Sequence, residues 1–232
     1  MKLMKPTRLA LFDLDHTLLP LDSDYQWADF LARTGRAGDP EQARAHNNDL
    51  MDRYNQGQLT AHAAAEFMLG LLAAHTPQDL AHWHESFMHE VIRPALSPQA
   101  IALVQKHLNA GDLCAIVTAT NSFVTAPIAR AFGIHHLIAT TPQYLQGRYT
   151  GHIEGIPSFR EGKITRVNEW LATMGMALSD FESSHFYSDS MNDLPLLECV
   201  THPIATNPSN DLRTLATSQQ WVVIDLFEKD NH

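Results

Sequence analysis

The 232-residue chain has only two cysteines, Cys114 and Cys199. Two thiols cannot form the disulfide framework that staples small secreted folds, so the core must come from apolar packing. No apolar run approaches the ~20 residues needed to span a bilayer. The N-terminal MKLMKPTRLALFDLD carries positive charge, but its apolar stretch is too short for a signal peptide and meets aspartate at once. Positive charge is scarce: 16 Lys and Arg stand against 26 Asp and Glu, a formal net charge of −10. So acidic a chain is poorly suited to nucleic acid phosphates, and the 14 histidines soften that exclusion only in acid, where they charge. At 44% apolar and 18% charged residues, the chain can bury a sizeable core and is not globally disordered. These features predict a soluble cytoplasmic protein, with neither nucleic acid nor a membrane as its partner.

At about 150 residues per domain, this length suits one core domain carrying an insertion. Residues 8–13 (RLALFD) read as a buried parallel strand whose carboxyl end opens onto a site. From 21 to 93 Ala, Leu, His and Gln dominate and β-branched residues are almost absent, which predicts a mainly helical stretch. Within it, residues 59–74 look like an amphipathic helix, and Thr76-Pro77 starts another. Alternation follows: a helix from Ser97-Pro98 to Leu108, a strand over 113–117, a helix over 123–132 closed by Gly133, and a strand over 136–139. A hairpin turns at Gln146-Gly147. Beyond it the pattern predicts a helix over 162–174, a strand over 184–188, a helix over 193–199, and strands over 202–206 and 221–225. Strands alternating with helices imply an α/β fold with a mainly parallel sheet covered on both faces, where ligands collect at the carboxyl ends of the strands.

Three features stand at such ends, and a fourth at the start of a helix. Asp13-Leu14-Asp15-His16-Thr17 follows the first strand directly. Two carboxylates so close repel unless a cation or proton sits between them, and hard oxygen ligands favour Mg2+; an Asp-rich turn capping the next helix would look the same. Ser188-Asp189-Ser190-Met191-Asn192-Asp193 follows another strand, with Asp189 and Asp193 on one side of a starting helix, although Asp189 also suits an N-cap. Thr118 ends a buried strand before a helix, either as an anion site or as an ordinary cap. Lys163 opens a helix, where the macrodipole disfavours a cation unless an anion faces it; otherwise it would point to solvent.

Taken in order, these motifs resemble those of the haloacid dehalogenase superfamily of phosphohydrolases over nearly the whole chain. The resemblance implies a Rossmann-like, doubly wound core over residues 1–20 and 94–232, with a helical cap over 21–93 inserted after the first motif. It implies that Asp13 attacks phosphorus to form an aspartyl-phosphate, and that Asp15 protonates the leaving alcohol and then activates water. Thr118, Lys163, Asn192 and the backbone N–H groups of Leu14 and Ala119 would bind the phosphate. Mg2+ would be held by Asp13, the main-chain carbonyl of Asp15 and Asp189, with Asp193 behind them. The expected reaction is hydrolysis of a small phosphorylated metabolite. Transfer of the phosphoryl group to another alcohol would use the same motifs, whereas a non-catalytic metabolite-binding regulator would usually lack one of the aspartates.

The chain is similar to the phosphoserine-phosphatase-like subgroup, whose cap carries a glutamate and an arginine for the substrate's ammonium and carboxylate. Here Asp22 and Asp24 stand near the glutamate's place, while Glu66 and Met68 stand where the arginine is expected. Losing a bidentate clamp is not conservative, and Arg33 and Arg53 are the candidates to replace it. Asp22 and Asp24, with Tyr25 and Trp27, suit a cationic or aromatic leaving group, such as an amino alcohol; histidinol phosphate is one candidate and phosphoserine another. Asp22 equally suits the N-cap of the first inserted helix. His82, His84 and His89 lie close in sequence but lack the spacing of a zinc site.

Overall fold

The computed structural model describes residues 6–56 and 58–227. The basic residues at the start of the N-terminal segment considered above as a leader lie outside them. A seven-stranded sheet runs in the order β4-β3-β2-β1-β5-β6-β7, with β1 (Arg8–Phe12), β2 (Leu113–Asn121), β3 (His136–Leu145), β4 (Arg148–Glu154), β5 (Ser183–Ser188), β6 (His202–Thr206) and β7 (Val222–Ile224). Every pairing is parallel except β3 with β4. The chain leaves β1 for β2 on one side, and β5 returns to β1 on the other. This reversal opens a crevice between the carboxyl ends of β1 and β5, the usual ligand position of a doubly wound sheet.

The sequence RLALF makes β1 central because its two faces supply two cores. Ala10 and Phe12 join one apolar cluster, and Leu9 and Leu11 the other, as the two-residue period of a strand requires. The first cluster is covered by α1 (Ser23–Arg33), α4 (Pro77–Phe87), α6 (Pro98–Asn109) and α7 (Ser122–Ala131); the second by α8 (Glu161–Thr173), α9 (Leu194–Leu197) and α10 (Asn210–Ser218). Phe12 stacks on Tyr187 with ring centroids 5.0 Å apart, which fixes β1 against β5 immediately below Asp13 and Asp189.

Between β1 and β2 the chain is helical, as its composition predicts: α1, α2 (Pro40–Asn55), α3 (Ala61–Ala73) and α4, which passes through a π turn (Met88–Ile92) into α5 (Arg93–Ala95). Side-chain oxygens of Asp22, Thr60 and Thr76 cap α1, α3 and α4, contacts worth about 1 kcal/mol each. Trp27 and Phe30 of α1 and Phe87 of α4 pack in the same cluster as Phe12 and Ile116, so apolar packing is continuous across residues 20/21 and 93/94. Leu69 and Leu72 of α3 join that cluster as well, while Ala28 of α1, Leu50 of α2 and Met68 of α3 form a small separate one. α3 also lies on β4, where a Cβ at Gly151 would stand 3.7 Å from the Gly70 backbone.

Several boundaries differ from the sequence pattern. β2 runs four residues past Val117, with its register against β3 shifting between Val117 and Asn121. Asn121, not Thr118, is therefore the N-cap of α7. β3 continues through Thr140 to Leu145 and enters the hairpin, whose turn residues Gln146 and Gly147 both have positive φ, 50° and 80°, as a type I′ turn demands. The segment over 193–199 is a short 3₁₀ turn (Met191–Asp193) followed by α9. The pattern missed α10, although Ser209 caps it and Leu212 and Ala216 bury one side. Among the described residues, no helix is long and apolar enough to cross a membrane.

Candidate active site

The strand pairing of β1 with β5 carries one residue beyond Phe12: the Asp13 N–H donates to the Tyr187 carbonyl at 2.9 Å. This places Asp13 and Asp189 at neighbouring strand ends, where the Thr17 hydroxyl lies 3.1 Å from Asp13 Oδ2 and 3.2 Å from Asp189 Oδ1. One proton serves only one of those carboxylates at a time. The same hydroxyl accepts from the Asp189 N–H at 3.1 Å, so Thr17 ties the two loops together.

Lys163, in the first turn of α8, is 2% exposed, which overturns the solvent-facing alternative. Its Nζ lies 2.8 Å from Asp13 Oδ1 and 2.7 Å from Asp193. Burial alone would lower its pKa, but Asp13 and Asp193 outweigh that effect and hold it above the ordinary value, so the ammonium stays charged. Ser188 donates to Asp193 Oδ2 at 2.7 Å. Burial pushes Asp193 up to about 6 against the opposing pull of Lys163. Burial, then Asp13 and Asp193, push Asp189 up to about 8. One ammonium faces three carboxylates here, an arrangement that favours either a proton or a further cation.

The donor set fits a hard cation. Asp13 and Asp189 offer carboxylate oxygens held by one hydroxyl, and the Asp15 main chain lies in the same loop. Among the described residues no group of three or more His, Cys, Asp or Glu side chains is arranged to hold a metal. Two carboxylates with waters suit Mg2+, which rarely takes an all-protein cage.

Asp15 lies beyond Asp13 and is held at both oxygens. The Ser23 N–H donates to Oδ1 at 2.9 Å and the Thr120 hydroxyl to Oδ2 at 2.7 Å. Burial, reinforced by Asp22, pushes its pKa up to about 6, against those two hydrogen bonds. Thr118 is buried, and its hydroxyl accepts from the Thr120 N–H at 3.2 Å. Leu14 is buried behind the site, its carbonyl accepting from Leu18 and Leu19.

A cavity of about 730 Å³ lies beside these residues, lined on the sheet side by Ala119, Thr120, Thr140, Arg160 and Asn192. Asp22 and Asp24 border it, and Leu50, Met51, His62 and Met68 form the wall contributed by α2 and α3. Asp22 is the N-cap of α1, its Oδ1 accepting from the Tyr25 N–H at 2.8 Å, so the capping alternative holds for a residue that also lines the cavity. Asp24 Oδ1 instead accepts from Asn121 Nδ2 at 2.9 Å. Burial raises both pKa values; for Asp24 the neighbouring Asp22 and Asp15 raise it further, whereas hydrogen bonding to the α1 backbone opposes the rise in Asp22. A second hollow of about 670 Å³ beside His185, His202 and Trp221 holds none of these groups.

Arg33 and Arg53 do not replace the missing clamp: they pair with Glu90 and Asp49, outside the cavity lining. Glu66 is not in the cavity lining and pairs with His152 of β4 and with His62. His84 is a packing residue, its Nε2 donating to the Val124 carbonyl at 2.9 Å and its ring stacked on Trp27. Sequence reasoning gave no role to Thr120, Asn121, Ser188 or Arg160. Hydroxyls and amides in the residues flanking Thr118 and Asp189 were the signal available, but their direction depends on the shifted register of β2 and on the 3₁₀ turn after β5.

A family model described as haloacid dehalogenase-like hydrolase matches residues 10–198. The chain is 42% identical over 218 residues to a histidinol-phosphatase of Neisseria meningitidis serogroup C (strain 8013), covering 94% of this chain and 98% of that protein. A crystal structure of a protein of unknown function from Bordetella pertussis Tohama I superposes with a TM-score of 0.95 at 73% identity, covering 96% of this chain and all of that one. A phosphoserine phosphatase captured as a phospho-aspartyl intermediate analogue shares the fold, with a TM-score of 0.65 at 17% identity over 97% of this chain and 96% of its own.

Proposed function

Because the chain belongs to the haloacid dehalogenase-like hydrolase family and is a phosphoric monoester hydrolase, we propose that it is a Mg2+-dependent, cytoplasmic phosphatase that uses Asp13 as nucleophile on a small cationic phosphate monoester. The observation that carries this reading is the buried Asp13–Lys163–Asp193 chain at the switch point of the sheet. Lys163 neutralises Asp13 enough for it to approach an anionic phosphoryl group and is itself fixed by Asp193. Electrostatic positioning of this kind provides most of the catalysis in phosphoryl transfer.

In the first step Asp13 Oδ bonds to phosphorus as the bond to the leaving oxygen breaks, and Asp15 gives that oxygen its proton. With a pKa near 6, Asp15 holds a proton in a useful fraction of molecules near neutrality and can take one back. In the second step a water attacks the aspartyl-phosphate, Asp15 receives its proton, and Asp13 leaves as carboxylate. Splitting the reaction divides one difficult displacement into two. Thr118, Asn192 and the N–H groups of Leu14 and Ala119 serve the phosphoryl oxygens. Mg2+, when bound by Asp13, Asp189 and the Asp15 main chain, supplies the positive charge that the carboxylates lack. Residues 21–93 act as a cap, with α2 and α3 forming the wall that selects the leaving group.

Asp24 supports a cationic leaving group: it is a half-buried carboxylate at the cavity with an amide partner and, among the described residues, no ion-pair partner. Met68 lines the wall where an arginine would bind a substrate carboxylate. Both favour an amino-alcohol phosphate such as histidinol phosphate over phosphoserine, in line with the name of the Neisseria relative. Phosphate release from histidinol phosphate, phosphoserine, phosphoethanolamine and sugar phosphates, with Mg2+ and with EDTA, tests the reading. A Mg2+-dependent preference for histidinol phosphate is expected; no release from any of them, with a generic aryl phosphate also intact, overturns it.

A further inference from the structure

Arg160 occupies a backbone position that favours glycine. In the tight turn over residues 159–162 the Phe159 carbonyl accepts from the Gly162 N–H at 2.9 Å, and Arg160 takes φ 50° and ψ −124°. These are the angles of the first central residue of a type II′ turn, where glycine is the default. The turn is pinned from the other side, because a Cβ at Gly162 would stand 2.1 Å from the Pro157 carbonyl oxygen. A large side chain kept in such a conformation points to a role for that side chain.

Its guanidinium lies on Asn192: Nε and Nη2 are each 3.2 Å from Oδ1. Guanidinium groups only donate, so the atom between these two nitrogens is the amide oxygen, and the Asn192 NH2 is left to face elsewhere. Both residues line the 730 Å³ cavity, and among the described lining residues Arg160 is the only Lys or Arg.

We propose that Arg160 is a positioning residue that locks the Asn192 side chain with its amide nitrogen, not its oxygen, turned toward the phosphoryl group. This rests on the reading of the cavity as a phosphomonoester site. An unrestrained amide presents its carbonyl oxygen to the anion in part of the population, and that orientation repels it. The forked contact removes that orientation before substrate arrives, so the benefit is preorganisation.

The test is a double-mutant cycle in the full chain with Mg2+, using Arg160→Gly, Asn192→Ala and the pair. It reads the melting temperature, kcat and KM for histidinol phosphate, and the Kd of inorganic phosphate. Arg160→Gly is expected to melt at the same temperature or higher, because glycine suits the turn, while kcat/KM and phosphate affinity fall about tenfold. In the Asn192→Ala background the same change is expected to cost less than about twofold. Equal losses in both backgrounds overturn the proposal, as does a lower melting temperature that accounts for the lost activity. If the wild-type protein binds phosphate but hydrolyses no ester, the phosphatase reading fails and the cycle is decided on phosphate affinity. Failure to bind phosphate overturns both.

Discussion

Lys163 Nζ stands 2.8 Å from Asp13 Oδ1 across 150 residues of sequence, inside a site that leaves the lysine 2% exposed. Two carboxylates bracket the ammonium, so its removal affects folding as well as chemistry. Lys163→Met leaves Asp13 and Asp193 buried without their shared cation, and breaking such a contact costs about 3–5 kcal/mol. Urea denaturation in EDTA is expected to show a loss in that range, with turnover abolished. Lys163→Arg is not expected to rescue turnover, because a planar fork cannot replace a compact ammonium between two carboxylates. A variant with wild-type stability would show that the lysine is solvated and that this geometry is wrong.

Asp15 receives hydrogen bonds at both oxygens, and these resist the rise that burial imposes on its pKa. Thr120→Val removes one donor from the ionised form, so the pKa should climb beyond about 6. As the proposed acid, Asp15 would have to be protonated to release the alcohol, so kcat/KM should fall as pH rises through this pKa. The falling limb of the pH profile is expected to move to higher pH in Thr120→Val. A shift to lower pH, or none, would remove Asp15 from the role of acid.

How far the sequence discloses this site depends on what each residue answers to. Asp13, Asp15, Asp189 and Asp193 are legible because they follow apolar strand runs directly, and a parallel sheet delivers all strand ends to one edge. Thr120 and Asn121 are not: β2 continues past Thr118 with a shifted register, and which hydroxyl turns toward Asp15 depends on that shift. Arg160 is hidden for another reason. Nothing in Ser158-Phe159-Arg160-Glu161-Gly162 signals a II′ turn with arginine in the glycine position. The helical character of 21–93 follows from composition, yet the packing of Trp27 and Phe87 with Phe12 is tertiary and invisible to periodicity. α10 was missed because its turn-rich start resembles a loop, although its burial repeats at helical spacing.

If Asp189 holds Mg2+ as proposed, proton and metal compete for its carboxylate, which fixes the sign of a stability measurement. Asp15 and Asp193 have pKa values pushed up to about 6 and Asp189 up to about 8. A carboxyl group whose folded pKa is raised binds its proton more tightly when folded. Its contribution is therefore complete below the ordinary carboxylate pKa and is lost as pH rises through the folded value. In EDTA this part of the stability should decline between about pH 4 and pH 8. Mg2+ should then raise the melting temperature more at pH 8 than at pH 5, because at pH 5 protons already occupy the site. A larger Mg2+ shift at pH 5 would contradict the assignment of Asp189 to the metal.

Asp22 and Asp24 are two residues apart but are held by different partners, and this separates helix capping from substrate reading. Asp22 Oδ1 accepts from the Tyr25 N–H, while Asp24 accepts from the Asn121 side chain at the cavity. Asp22→Ala should lower stability by about 1 kcal/mol through the lost cap, and Asp22→Ser should restore most of it. Asp24→Asn keeps the shape but removes the charge that would meet an ammonium or imidazolium group. Its KM for histidinol phosphate should rise at least about tenfold, the loss of one charge-assisted contact, while its kcat/KM for a neutral aryl phosphate stays within about twofold of wild type. The comparison of the two substrates is decisive because a general disturbance of the site would weaken both. Equal losses on both would move Asp24 from selecting the leaving group to a general part in the site beside Asp15, whose charge helps raise the Asp24 pKa.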